Sequence, residues 1–269
     1  MPNTSSRSEK MLPNQLGVVQ RPVLGRGSYF SRSMRPLHML IFLLPIVTLY
    51  ELGTLGVFGP VRDSLKAHEM LVRFFDIFGV VGLHLPALAL VTMLVIQHAL
   101  TRDPFKPSFV VWVKMVAESA FLTVPLVVLV MLLKHDGGLG MAAQATVVEP
   151  SQASQMMLAL GASLYEEMLF RLVLITLIHF LISDVFGFSE TKGFVIGLIV
   201  SSAAFAWHHD QMFLLDGSID VRKGIFYFLA GMYFGLLFLM RGLGIAVGVH
   251  LFYDLLVLVI LPSFEAEPS

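Results

Sequence analysis

The sequence contains no cysteine among its 269 residues. This absence excludes disulfide bonds, thiol nucleophiles and thiolate metal ligands. Charged residues are also scarce, at 14% of the chain, whereas hydrophobic residues make up 56% and the mean hydropathy is +0.79. A soluble core cannot bury so large an apolar share. The net charge of -1 gives neither a basic nor an acidic surplus, so no nucleic-acid partner is expected.

The apolar residues are gathered in seven runs, each close to the about 20 residues that a helix needs to cross the hydrocarbon of a bilayer. We therefore predict an all-α fold, a polytopic integral membrane helix bundle with about seven transmembrane helices. An eighth, re-entrant segment is the alternative. The predicted spans are 37–58, 77–100, 115–133, 156–182, 193–209, 224–240 and 243–261.

Composition divides the chain into three regions. Residues 1–36 are rich in Ser, Pro, Gly and Arg and are predicted to form a basic, flexible N-terminal arm. Residues 37–133 hold the first transmembrane helices, and charged and apolar residues alternate at helical spacing over 61–76, which predicts an amphipathic surface helix. After a Gly-, Ala- and Gln-rich loop, residues 156–261 hold the remaining spans.

The positive charges predict an orientation. With the N-terminus in the cytoplasm, eleven Lys and Arg residues fall on the inner side and six on the outer side. Because cytoplasmic segments carry the excess of positive charge, we expect a multi-pass protein of the cell (inner) membrane with a cytoplasmic N-terminus and the lipid bilayer as its surroundings.

Three charged residues interrupt the apolar run 156–182, namely Glu166, Glu167 and Arg171. A charge near the centre of a bilayer costs at least about 2.5 kcal/mol, so such residues are rarely present without a function. Glu167 and Arg171 are spaced i, i+4 and can form an ion pair. Glu166 lies about 100° further round the helix and is left without that partner. The alternative is a network in which both glutamates share Arg171.

Polar residues recur at helical spacing in two later spans. One ends in Phe205-x-x-x-His209, and the other contains His250-x-x-x-Asp254, whose two polar side chains share one helix face. A carboxylate at membrane depth lacks the solvation of water and is a competent general base, while imidazoles can hold a water molecule or stabilise an oxyanion. This combination suits hydrolysis of an amide without a covalent intermediate.

Together, Glu166-Glu167-x-x-x-Arg171, Phe205-x-x-x-His209 and His250-x-x-x-Asp254 resemble, in order and position, the signature of the CAAX prenyl protease and bacteriocin-processing family. Members of that family are glutamic-type intramembrane proteases. The motif-bearing core of the family would correspond to residues 156–261, and the first three spans carry no motif that matches it.

The resemblance implies a role for each matching residue. Glu166 corresponds to the glutamate that activates water, and His209 to the histidine that helps to position it. Glu167 and Arg171 correspond to the supporting pair, with Phe205 as a further supporting position. No cofactor is implied, and the implied substrate is a protein or peptide, lipidated or membrane-anchored, such as a prenylated CAAX tail, a C-terminal sorting helix or a leader peptide.

The last motif departs from the prenyl-protease pattern. His250 and the residue at 254 correspond to the pair that stabilises the oxyanion, but the prenyl protease has Asn where this chain has Asp254. An ionised Asp only accepts hydrogen bonds. We therefore expect Asp254 to orient or charge His250, as a carboxylate fixes a catalytic imidazole.

Three other interpretations stay open. The same residues could bind zinc in a membrane metalloprotease, although the chain has no His-Glu-x-x-His helix. A proton-coupled transporter also needs intramembrane Glu, His and Asp. A non-catalytic immunity or scaffold protein could use the polar cluster as structural glue.

Some polar residues are expected to have ordinary roles. His208 and His209 are adjacent and so diverge by about 100° on a helix, and His208 is interpreted as an interfacial histidine near the helix end. Glu51, His84 and Glu118 occur singly and are interpreted as satisfying local carbonyls or reaching the interface. The predicted topology puts His250 near the inner start of its span and His209 near the outer end of its own, so these two depths conflict. Either one of the span boundaries is wrong, or the fifth span is broken before His209.

Overall fold

The computed structural model describes residues 28–57, 66–76, 84–133, 151–210, 213 and 217–261. These residues are largely helical, and the one β contact among them is an isolated antiparallel bridge between Phe213 and Ile219. The predicted all-α fold class is confirmed. The helices are α1 (Tyr29–Ser33), α2 (Pro36–Thr54), α3 (Lys66–Asp76), α4 (Leu85–Thr101), α5 (Phe109–Leu122), α6 (Val124–Leu133), α7 (Gln152–Glu166), α8 (Thr176–His179), α9 (Glu190–His208), α10 (Val221–Arg241) and α11 (Leu243–Asp254).

Within the described chain, three stretches continue a helix with the wider i→i+5 hydrogen bonding of a π-helix. They are Glu167–Ile175, Phe180–Val185 and Leu255–Ile260. The first two lie in one long helical run that begins with α7. The third extends α11 to the end of the described chain.

Five helical stretches are long and apolar enough to cross a membrane: Pro36–Thr54, Phe109–Leu133, Gln152–Val185, Val221–Arg241 and Leu243–Ile260. They correspond to five of the seven predicted spans. Helix α4 is apolar but has only 17 residues, and α9, whose first turn carries Glu190 and Lys192, is not among the five. The chain is a polytopic membrane bundle, and the number seven stays a prediction.

The structure describes parts of the predicted N-terminal regions. Helix α3 covers most of the predicted amphipathic helix 61–76, of which residues 61–65 lie outside the described residues; it exposes Glu69 and Arg73 and buries His68 and Leu71. Of the predicted arm, residues 1–27 lie outside the described chain, as does the loop 134–150. Residues 28–36 are described, and α1 and the start of α2 fall within them. The helical chain therefore begins before the predicted boundary at 36.

A buried ion pair fastens α1 to the bundle. Arg241, the last residue of α10, donates from Nε and Nη2 to the two carboxylate oxygens of Glu118 in α5, at 2.6 and 2.7 Å. Tyr29 donates its hydroxyl to the same carboxylate, and Arg241 also reaches Ser33 Oγ at 3.0 Å. The interpretation of Glu118 as a residue that satisfies local carbonyls is therefore wrong, because its partner lies on another helix.

The helices around α10 and α11 approach closely at glycines. A Cβ at Gly231 would lie 2.9 Å from the Cα of Ser202 in α9, and one at Gly248 would lie 2.9 Å from Phe42 Cζ in α2. A Cβ at Gly244 would meet Met115 of α5 at 3.2 Å. Small residues let membrane helices pack at short distance, and here they bring α10 close to α9, and α11 close to α2 and α5.

Replacing Gly231 with alanine should destabilise the bundle. The added methyl group would meet backbone atoms of Ser202, which cannot move unless α9 shifts, and overpacking of this kind costs about 1–3 kcal/mol. Thermal unfolding in detergent measures the effect. Leu229→Ala is the control, because Leu229 lies on the outer face of the same helix. Equal unfolding temperatures for Gly231→Ala and the wild type would contradict the prediction.

Candidate active site

Glu166 and Glu167 lie where α7 passes into the π-helical segment Glu167–Ile175. A π-helical turn shifts backbone carbonyls away from their regular helical partners, and such turns are frequent at functional sites. Here the carbonyl of Phe170 accepts a hydrogen bond from Ser201 Oγ of α9 at 2.7 Å. The wide turn is thus tied to α9 by a buried hydrogen bond that the sequence analysis did not predict.

Glu167 joins two of the three sequence motifs. Its side chain is fully buried, and its Oε1 lies 3.2 Å from Arg171 Nη1, as the i, i+4 spacing predicts. The same oxygen lies 2.9 Å from His250 Nδ1 of α11. Because a carboxylate only accepts hydrogen bonds, His250 donates from Nδ1. Glu167 therefore fixes both the ring orientation of His250 and the nitrogen that carries its proton.

Arg171 is enclosed by aromatic rings. Its guanidinium carbon lies 4.3 Å from the ring centre of Phe205 and 5.3 Å from that of Phe234, which are cation–π distances. Its Nη2 donates to the carbonyl of Gly231 at 3.3 Å. The side chain is fully buried, so Glu167 and these rings replace the solvation that water would supply.

The end of α9 brings two imidazoles to Glu166. The helix ends at His208, and His209 leaves it with extended backbone angles, φ -86° and ψ 107°. As a result, His208 Nε2 lies 3.8 Å from Glu166 Oε1, while His209 Nε2 lies 3.8 Å from Glu166 Oε2. The expected divergence of the two rings does not occur, because it assumed a helix that continues through residue 209.

His209 is held on both sides. Its Nδ1 donates to the carbonyl of Phe205 at 2.8 Å, since a carbonyl can only accept. Its ring stacks on Tyr227 with the ring centres 4.0 Å apart. A neutral His209 therefore presents the lone pair of Nε2 towards Glu166.

His250 contacts all three carboxylates of the site. Besides its bond to Glu167, its Nε2 lies 3.5 Å from Asp254 Oδ2 and 3.9 Å from Glu166 Oε2. Its ring stacks on Phe234 at 4.5 Å. The close orienting hydrogen bond thus comes from Glu167 on the facing helix, whereas Asp254 lies on the other nitrogen of the ring.

The structure brings every predicted site residue into one cluster. Glu166, Glu167, Arg171, Phe205, His209, His250 and Asp254 are linked by the contacts above. The expected conflict of depths disappears, because both His209 and His250 reach Glu166 Oε2. His250 lies near the middle of the apolar stretch Leu243–Ile260, so the end of α9 lies beside the middle of that stretch.

One site residue was missed by the sequence analysis. His208 was interpreted as interfacial, but only 11% of its side chain is exposed and its ring lies against Phe170. The adjacent His209 matched a motif, whereas no spacing pattern marked His208.

A metal site was also considered. Among the residues that the structure describes, no group of three or more His, Asp or Glu side chains is arranged to hold a metal ion. The nearest donor atoms of Glu166 and the imidazoles stand 3.8–3.9 Å apart. Zinc binding stays a prediction that metal removal can test.

Within the described residues, a buried cluster of two glutamates, three histidines, an aspartate and an arginine thus lies inside a polytopic helix bundle, and these residue types suit hydrolysis. Residues 152–256 match the family described as Rce1-like, type II CAAX prenyl endopeptidase Rce1-like. The matched residues include all three motifs, and the match confirms the resemblance that the motifs indicated. No curated protein and no solved structure matches the chain.

Removing the charge of Arg171 should destabilise the protein strongly. Arg171→Met leaves Glu167 buried without its cation, and breaking a buried pair in this way costs about 3–5 kcal/mol. We expect a large fall in the thermal unfolding temperature in detergent. Arg73→Met, on the exposed face of α3, is the matched control. If both variants unfold at the wild-type temperature, the pair does not hold the site together.

Proposed function

We propose that the protein is an intramembrane endopeptidase in which Glu166 activates a water molecule for attack on a peptide bond. The observation that carries this proposal is the geometry of Glu166 Oε2. It lies 3.8 Å from His209 Nε2 and 3.9 Å from His250 Nε2, and it makes no hydrogen bond with the described residues. Two groups at that separation can both bond one water oxygen, since each hydrogen bond spans about 2.8 Å.

Each side chain then has a defined task. Glu166 accepts a proton from the water, and His209, whose neutral ring presents a lone pair at Nε2, holds the water by accepting its second proton in a hydrogen bond. His250, with Nδ1 committed to Glu167, offers an N–H at Nε2 when it is protonated. That N–H can stabilise the oxyanion that forms on the substrate carbonyl.

Asp254 and the supporting pair act on these groups. Asp254 Oδ2 lies 3.5 Å from His250 Nε2 and favours the protonated imidazole, but as an acceptor it cannot itself stabilise the oxyanion. Glu167 and Arg171 hold the His250 ring and the π-helical turn in fixed positions relative to each other. No metal ion takes part in this mechanism.

The substrate class follows from the family description and from the depth of the cluster. A site at membrane depth suits a peptide bond that a lipid anchor or an apolar helix brings into the bilayer. We propose a prenylated CAAX tail as the first candidate, with a C-terminal sorting helix and a leader peptide as the others. We also propose that the protein resides in the cell (inner) membrane with its N-terminus in the cytoplasm.

Glu166→Gln should abolish cleavage while the protein remains folded. The amide cannot accept the proton of water, and the loss of a general base costs about 10²–10⁴-fold in rate. The assay uses purified protein in liposomes with three substrates: a farnesylated CAAX peptide, an apolar C-terminal helix and a leader peptide. Glu190→Gln, in the exposed first turn of α9, is the matched control. Wild-type turnover by Glu166→Gln would contradict the proposal, as would the failure of folded wild-type protein to cleave any of the three.

Removal of metal should leave activity unchanged. The same assay is repeated after treatment with a strong zinc chelator, followed by dialysis. We expect the rate to stay within about twofold, because the proposed step uses only protein groups. Loss of activity that added zinc restores, but added magnesium does not, would show that Glu166 and the imidazoles act as metal ligands.

A further inference from the structure

The two oxygens of Glu166 face different imidazoles. Oε2 faces His209 and His250, the residues to which the proposed function assigns the water and the oxyanion. Oε1 faces His208, whose Nε2 lies 3.8 Å away. His208 therefore faces a different oxygen of the carboxylate from the other two rings, and no role assigned so far uses this third imidazole.

The position of His208 is built into the end of α9. Its ring stands nearly perpendicular to that of His209, at 87°, with the ring centres 5.7 Å apart. The edge of the ring lies against Phe170, at a centre-to-centre distance of 5.3 Å. With 11% of the side chain exposed, the imidazole is close to the carboxylate and largely shielded from the surroundings.

Amide hydrolysis needs an acid as well as a base. A base takes a proton from the attacking water, and the nitrogen must receive a proton before the C–N bond breaks, because a free amide anion is too poor a leaving group. His209 is committed to the carbonyl of Phe205 through Nδ1 and presents a lone pair. His250 is committed to Glu167 and faces Asp254 through its other nitrogen. The remaining imidazole beside Glu166 is His208, which faces Oε1.

We propose that His208 is the general acid that protonates the departing amine, an assignment that rests on the proposed hydrolysis by Glu166. Water gives one proton to Glu166, and its oxygen forms a bond with the carbonyl carbon. As the carbonyl reforms, the C–N bond breaks, its electron pair stays on nitrogen, and nitrogen takes the proton from His208 Nε2. After the products leave, the proton on Glu166 returns to His208 across their contact. The sum is one water and one amide converted to an acid and an amine.

The test compares two leaving groups. His208→Gln is assayed on whichever of the three peptides the wild-type protein cleaves, and on the same peptide with sulfur in place of the scissile nitrogen. A thiolate leaves without a proton, so the thioester does not need the acid. We expect cleavage of the amide to fall about 10²–10³-fold in kcat, with thioester cleavage reduced less than about fivefold. A merely structural role for His208 would lower both rates by the same factor.

Two further variants make the result decisive. His208→Ala should repeat the selective loss, and the thioester activity of both variants shows that they are folded. His98→Gln, on α4, is the matched histidine control and should leave both rates unchanged. If Glu166→Gln is inactive on both substrates while His208→Gln cleaves the amide at the wild-type rate, the role of His208 is refuted and the proposed function stands. If Glu166→Gln keeps its activity, the proposed function itself fails.

Discussion

The rest of the site depends on the contacts that the Glu167 carboxylate makes with Arg171 and His250. It is fully buried, and one of its oxygens is shared by Arg171 of its own helix and His250 of α11. Each buried ion costs several kcal/mol in lost hydration, so a carboxylate at this depth needs both partners. By taking His250 Nδ1, Glu167 also decides which nitrogen faces Glu166. The same contact therefore holds two helices together and sets the protonation of the imidazole.

Aromatic rings pack against the charged and imidazole side chains of the site and hold them in position. Phe205 lies under the guanidinium of Arg171, accepts a hydrogen bond from His209 Nδ1 at its backbone carbonyl, and is 98% buried. Phe234 stacks on His250, and Tyr227 stacks on His209 from the same helix, α10. Flat rings restrict the rotation of the imidazoles, and packed side chains of this kind pre-organise a site at little entropic cost. The close approach of α10 at Gly231 is what brings these rings within reach.

The sequence predicted what lies within one helix better than what lies between helices. Helical spacing was enough to pair Glu167 with Arg171 and to put His250 and Asp254 on one face, and apolar runs were enough to predict a membrane bundle. The contact of Glu167 with His250 joins residues 83 positions apart, and no periodicity encodes it. The end of α9 at His208 was suggested only by the conflict of depths, because no glycine or proline marks it. One residue with extended backbone angles redirects both imidazoles. The π-helical turn after Glu166 likewise has no sequence signal that spacing could reveal.

The surroundings of Glu118 and Glu166 differ in a way that bears on function. Glu118 uses both oxygens in close bonds to Arg241, at 2.6 and 2.7 Å, and it also accepts from Tyr29. This is what a structural role requires, since an unsatisfied buried carboxylate destabilises the fold. Glu166 is as deeply buried, yet it stands 3.8–3.9 Å from three imidazoles that are fixed by other partners. If Glu166 had only a structural role, we would expect it to form direct hydrogen bonds with these imidazoles, because each such bond would stabilise the bundle. A carboxylate that accepts a proton from water and releases it again needs room for that water between itself and the imidazoles. The missing hydrogen bonds lower the stability of the fold, and such a loss is expected at a catalytic site.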